Sequence, residues 1–294
     1  MTRLQVLSSY EIKIFETPPE FNSFERKKYF SFSKWLQDTV KDLKTDVNKI
    51  GFLLQFGYFK TTSKFFVPRK FHFNDVKFIC NFLDINSNNI KLEDYLKDSF
   101  TRHQELILQH FGFIPFNEVS KNQLLEEARS LTSKQLKPEH IFWSLIDFLD
   151  IRKIEKPPFN TISDIIIQAL SEHESKLISI LKNKLTENHK VLLDSLLEKN
   201  EIYQNEKKDS KIKRYKITSL KDFNHDLSES KIKENIDQLK YLQYIYDELK
   251  DVIQELNLSP SLIEYYAVWT KKLRFFKYIE KMIFTIMLNL KILQ

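Results

Sequence analysis

Apolar residues along this chain recur mostly at steps of three and four, the spacing of one face of an α-helix. Asn22 and Ser23 stand ahead of ERKKYF, with Glu20 and Glu25 near its expected positive end, which predicts a short capped helix. Ser33 opens KWLQDTVKDL, apolar at Trp35, Leu36, Val40 and Leu43. Thr45 and Asp46 cap a third helix, NKIGFLLQFGYFKTTSKFF. There Val47, Ile50, Leu53, Leu54 and Tyr58 form one stripe and Phe52, Phe56 and Phe59 a second. A helix apolar on both sides is expected to be buried nearly all round. Pro68 breaks the chain, and Asn74 restarts a helix through Leu83.

Further along, a helix is expected from Thr101 to His110, ended by Gly112 in the position of a left-handed cap. Asn117 caps the next, Pro138 suits the first turn of PEHIFWSLIDFLDI, and Pro157-Pro158 forces an extended break. Thr161 or Ser163 then begins a long helix, and Thr186 caps LTENHKVLLDSLLEKN. The segment from Gln204 to Lys216 is basic and poor in apolar residues, so it reads as a linker. Beyond it, Ile232, Ile236, Leu239, Leu242, Tyr246, Leu249, Val252 and Leu256 mark a long amphipathic helix, and Ser259-Pro260 starts another.

Composition agrees with an all-α fold. The 294 residues include only 3 glycines and 8 prolines, little material for the turns of a many-stranded protein. The expected organisation is a helix-turn-helix-type module over 1–88, a second over 89–203, a basic linker over 204–221, and an amphipathic helical segment over 222–294. Cys80 is the single cysteine, which excludes an internal disulfide and fits a reducing, cytoplasmic setting. Nothing at the N-terminus has the apolar run of a signal peptide, and MIFTIMLNLKIL is too short for a membrane span.

The residues offer no catalytic or metal-binding constellation. IGFLLQFG lacks the clustered glycines of a phosphate-binding loop, and the 7 histidines are scattered with no second cysteine to join them. No enzyme activity, cofactor or metal is therefore expected. Net charge is +6, from 46 basic and 40 acidic side chains, so distribution carries more meaning than the sum. Lys60 to Lys70 holds four basic residues and no acid. Lys60, Thr61, Thr62, Lys64, Arg69 and Lys70 there combine cations and hydroxyls, the mix that contacts phosphate oxygens. Arg102, His103 and Gln104 are expected on the first turn of their helix, where dipole and arginine could meet a DNA groove together.

In order along its length, the chain resembles the N-terminal part of replicative transposases of the Tn-three family. The resemblance rests on ERKKYF, NKIGFLLQFGYFKTTSKFF, RHQELILQHFGFIPF, LLEEARSLTSKQLKP, TISDIIIQALSEHESKL and LTENHKVLLDSLLEK. After the linker, SKIKENIDQLKYLQYIYDEL and LNLSPSLIEYYAVW continue it, while the last residues, about 275–294, depart from it. The resemblance implies CENP-B-like helical modules that recognise the terminal inverted repeats of a transposon as double-stranded DNA. It also implies that the family's Asp-Asp-Glu catalytic domain, which would use Mg, lies outside these residues, as in a truncated copy or a fragment. The alternative expectation is a helical interaction module, with 230–294 forming a homodimer or docking on a complete transposase.

Overall fold

The computed structural model describes residues 5–134, 137–203, 211–216, 220 and 225–258. The regular secondary structure of these residues is helical apart from one two-stranded ribbon and an isolated bridge between Ile114 and Ile154. The chain forms two compact units, one of Met1–Ser130 and Pro138–Ala169, the other of Leu131–Lys137 and Leu170–Gln294.

In the first unit the helices are α1 (Ser9–Glu16), α2 (Ser23–Tyr29), α3 (Lys34–Lys41), α4 (Asp46–Thr62), α5 (Phe73–Phe82), α6 (Lys97–Phe111), α7 (Glu118–Thr132), α8 (Pro138–Ile151) and the start of α9 (Phe159–Lys184). Local chemistry fixes most of the starts. The Asn22 side chain accepts from the backbone N–H of Phe24 and Glu25, and Glu25 returns the bond to Asn22 N–H. Ser33 and Thr45 cap α3 and α4, and Asn117 accepts from Ser120 N–H ahead of α7. Gly112 ends α6 at φ +68°, a conformation that needs no side chain.

Helix α4 is the axis of this unit. Every residue from Ile50 to Phe59 is buried, and α2, α5 and α6 all pack on it. The cluster around it draws Phe21 and Phe30 from the α2 region, Leu36 and Val40 from α3, Val76, Ile79 and Cys80 from α5, and Ile107 and Leu108 from α6. Each fully buried large apolar side chain contributes about 1.5–3 kcal/mol. Two glycines make this crowding sterically possible. A Cβ at Gly51 would stand 2.5 Å from the Tyr95 ring, and one at Gly57 would overlap the Phe30 ring. The core crosses residue 88 without a break, because α6 packs in the same cluster as α4 and α5.

The second unit contains the end of α9, α10 (Glu187–Leu196), a ribbon of β1 (Lys199–Tyr203) and β2 (Lys211–Tyr215), and α11 (Glu229–Leu256). Leu177 and Leu181 of α9, with Leu193 and Leu196 of α10, pack against Ile245, Leu249, Val252, Ile253 and Leu256 of α11. A Lys184–Glu255 ion pair at 3.0 Å joins α9 to α11 within this unit. Only the C-terminal half of α11 is buried. Ile232, Ile236 and Leu239 in its first half are 42%, 46% and 54% exposed.

Three local expectations change. Helix α6 begins at Lys97 rather than Thr101, and α9 at Phe159, directly after the proline pair. Helix α4 continues past Gly57 to Thr62 and closes at Ser63 with φ 55°. Part of the expected basic linker is a strand: Lys211–Tyr215 pairs antiparallel with Lys199–Tyr203, from Lys199 opposite Tyr215 to Tyr203 opposite Lys211. Ile212 and Tyr215 are residue types favoured in strands, so the segment suits a ribbon as well as a linker. The helix expected from Ser259-Pro260 lies outside the described residues.

Candidate nucleic-acid interface

The basic tail of α4 is built inward. Lys64 is only 4% exposed. Its Nζ donates to Glu16 Oε1 at 2.6 Å and to the Phe15 carbonyl at 3.0 Å, and lies 3.7 Å from the Phe15 ring centroid. Lys70 Nζ donates to the Glu16 carbonyl at 2.6 Å and stands 3.4 Å from Glu16 Oε2. Glu16 Oε1 also accepts from the backbone N–H of Phe159 at 2.8 Å, at the start of α9. Burial pushes the Lys64 ammonium down to about 8, partly opposed by Glu16, so Lys64 is charged at neutral pH. Burial would raise Glu16, but the bonds from Lys64 and Phe159 outweigh it and hold the carboxyl below its ordinary value.

The hydroxyls of this tail are also engaged. Thr61 Oγ1 donates to the Tyr58 carbonyl at 2.9 Å and Thr62 Oγ1 to the same carbonyl at 2.7 Å. Lys60 and Arg69 are exposed. The expected cluster therefore divides: Lys64 and Lys70 fasten the end of α4 to Glu16, Thr61 and Thr62 turn their hydroxyls back onto a carbonyl of α4 itself, and Lys60 and Arg69 face solvent. Sequence spacing could not reveal this, because Glu16 lies 48 residues before Lys64.

The second expected group divides in the same way. Arg102 is exposed, Gln104 is half-buried, and His103 is 2% exposed. His103 Nδ1 lies 2.6 Å from the Tyr95 hydroxyl, and its ring meets Phe52 edge-on with centroids 5.2 Å apart. Burial, with help from the Arg102 charge, pushes His103 down to about 4, so it is neutral beside the Tyr95 hydroxyl. Because α6 starts at Lys97, these residues occupy its second turn, past the reach of the helix's positive end. Helix α6 runs beside α4 in the same direction, with His103 on Phe52 and Phe111 on Phe59. Arg102 and Lys60 thus sit toward opposite ends of that pairing.

On a different face are exposed cations without an ion pair among the described residues, one of which, Lys28, lies 5.2 Å from the Tyr29 ring centroid. Helices α2 and α5 are tied by Arg26, whose Nε donates to Asp75 Oδ1 at 2.6 Å, while Tyr58 donates to Asp75 Oδ2 at 2.6 Å. Asp75 is fully buried, so this triad fixes the two helices against α4. Burial, reinforced by the Asp75 charge, pushes the Tyr58 hydroxyl well up, so it stays a donor. Outward from this lock, the exposed positions of α2 are Ser23, Phe24, Lys27 and Lys28; those of α5 are Phe73, Asn74, Lys77, Asn81 and Phe82. No exposed position on either helix is acidic, since Asp75 is buried and Glu25 is folded back into the α2 cap. The sequence signal for this face was the lysine pair of ERKKYF with Lys77 one helix turn after Phe73. Neither lies in the densest basic run.

A family described as "Domain of unknown function (DUF4158)" matches residues 6–169. The chain belongs to this family. The match ends at the residue that closes the first compact unit, so the DUF4158 region and the α4-centred unit nearly coincide. The curated proteins contain no match to the chain. Among the described residues no helix is long and apolar enough to cross a membrane, and no three His, Cys, Asp or Glu side chains gather as a metal site.

Proposed function

We propose that this DUF4158 chain is a non-catalytic DNA-binding part of a Tn-three-family transposase that holds double-stranded DNA at the transposon's terminal inverted repeats. The observation that carries the DNA reading is the α2–α5 face, where Lys27, Lys28 and Lys77 stand exposed and no exposed position of either helix is acidic. Lysines on a pair of helices locked together suit contacts to a phosphate backbone, and Asn74 and Asn81 supply amides suited to base edges. The resemblance of the sequence to Tn-three transposases supplies the expected DNA. Lys60, Arg69 and Arg102 remain candidates for further phosphate contacts, and Lys64, Lys70 and His103 are assigned to the scaffold instead.

The experiment is a titration of the intact chain against a terminal-repeat duplex and a scrambled duplex of equal length. Tighter binding to the repeat supports sequence recognition, and equal affinity removes it. Substituting Lys27, Lys28 and Lys77 together by Gln should weaken binding to both duplexes, which locates the interface.

A second reading is favoured by one specific observation: the first half of α11 carries Ile232, Ile236 and Leu239 exposed along a single stripe. In this reading the second unit is an association module, and the partner is another copy of the chain. Light scattering of the chain against an Ile232→Glu/Ile236→Glu variant decides it, because an unchanged mass removes the dimer.

A further inference from the structure

Phe24 and Phe73 are 73% and 69% exposed, and Phe82 on the same helix as Phe73 is 57% exposed, so three phenylalanine rings stand among the lysines of these two helices. Phe24 and Phe73 each stand two residues before a member of the buried Arg26–Asp75 pair. The α2 and α5 regions run side by side in the same direction. Phe30 meets Phe78 at 6.2 Å between centroids, and further on Phe32 stacks on Phe82 at 4.3 Å. Phe24 and Phe73 are therefore held at one level at the head of the face. Phe24 shares its helix side with Lys27 and Lys28, and Phe73 shares its side with Lys77, by i,i+3 and i,i+4 spacing.

Cations alone would suit any polyanion. Flat apolar rings set among them suit one whose charges border flat apolar surfaces, which is nucleic acid with accessible bases. We propose that Phe24 and Phe73 stack against or wedge between bases, so that this face favours DNA containing an unstacked step over uniform duplex. The proposal rests on the DNA-binding reading of the same face and adds what the face selects. The lysines hold the strand, and the rings choose where along it the protein settles. Such a preference suits sites where a duplex opens or bends.

The test uses the intact chain, a fully paired fluorescent duplex, and the same duplex with a central mismatch. Wild type should bind the mismatched duplex about tenfold more tightly, in line with base-on-aromatic stacking. Phe24→Ala/Phe73→Ala should abolish that preference while keeping its melting temperature and its salt-dependent affinity for paired DNA. A preference that is absent in wild type, or unchanged in the double variant, overturns the proposal. So does a change in molecular mass on light scattering without a change in DNA preference, which assigns the rings to a protein partner. Lys27→Gln/Lys28→Gln/Lys77→Gln separates the two levels. If it binds both duplexes as wild type does, the DNA reading of this face fails. If it weakens binding while the phenylalanine variant leaves the preference intact, only the stacking role fails.

Discussion

At the scale of single residues, Gly51 and Gly57 are the clearest link from sequence to packing. Inside a helix each costs roughly 1 kcal/mol relative to alanine, so an apolar helix that keeps two of them implies close neighbours on two sides. That much was legible. Which rings lie there was not, because Tyr95 and Phe30 come from distant segments with nothing local to announce them. Gly57→Ala should lower stability by about 1–3 kcal/mol despite its better helix propensity, because the Phe30 ring must leave its place. Chemical denaturation measures this, and a stabilised variant would contradict the packing. His103 gives the pH dependence. Its folded pKa, about 4, lies below the ordinary 6.5, so the unfolded chain takes up a proton that the folded chain resists. Its contribution is complete above pH 6.5 and is lost as pH falls through 4, on the order of 2–3 kcal/mol. His103→Gln should flatten the stability profile over that window. A profile as steep as that of wild type would assign the acid sensitivity elsewhere.

At the scale of elements, the periodic pattern located most helices, and their caps were readable at Asn22, Ser33, Thr45, Asn117 and Thr186. Ends without a side-chain cap were misplaced. Helix α6 starts after Leu96 with no capping hydrogen bond, so its first turn left no signal in the sequence. The same limit explains the basic tail of α4. Its lysines look solvated on sequence, but partners 48 and 54 residues away make Lys64 and Lys70 part of the frame. The ion pair between α2 and α5 is the corresponding device on the candidate face. Asp75→Ala should cost about 3 kcal/mol or more, since it strands Arg26 and removes the acceptor of Tyr58. Thermal unfolding reports it, and a loss below about 0.5 kcal/mol would show that the triad does not hold the helices. Helix α11 gives a paired prediction within one element. Leu249→Ala should cost about 2–5 kcal/mol, whereas Ile236→Ala, at an exposed position of the same stripe pattern, should stay within about 0.5 kcal/mol. Periodicity alone ranks these two positions equally; only packing separates them.

At the scale of the whole molecule, the all-α character followed from scarce glycine and dominant helical spacing, and the ribbon of Lys199–Tyr203 with Lys211–Tyr215 is the departure from it. The two compact units, and the coincidence of the first with the DUF4158 region, depend on long-range packing that no local pattern encodes. The candidate interface was only partly legible for the same reason. Charge density pointed to 60–70, where much of the charge is turned inward, and the freer cations lie on two helices far apart in sequence. In the proposed function Lys27, Lys28 and Lys77 hold DNA, and the salt dependence of binding reads those contacts out. Each lost phosphate contact removes about 0.9 from the slope of log affinity against log salt. For Lys27→Gln/Lys28→Gln/Lys77→Gln the account predicts a slope shallower by about 2–3 than that of wild type, at undiminished folding stability. Equal slopes in the two proteins would contradict it.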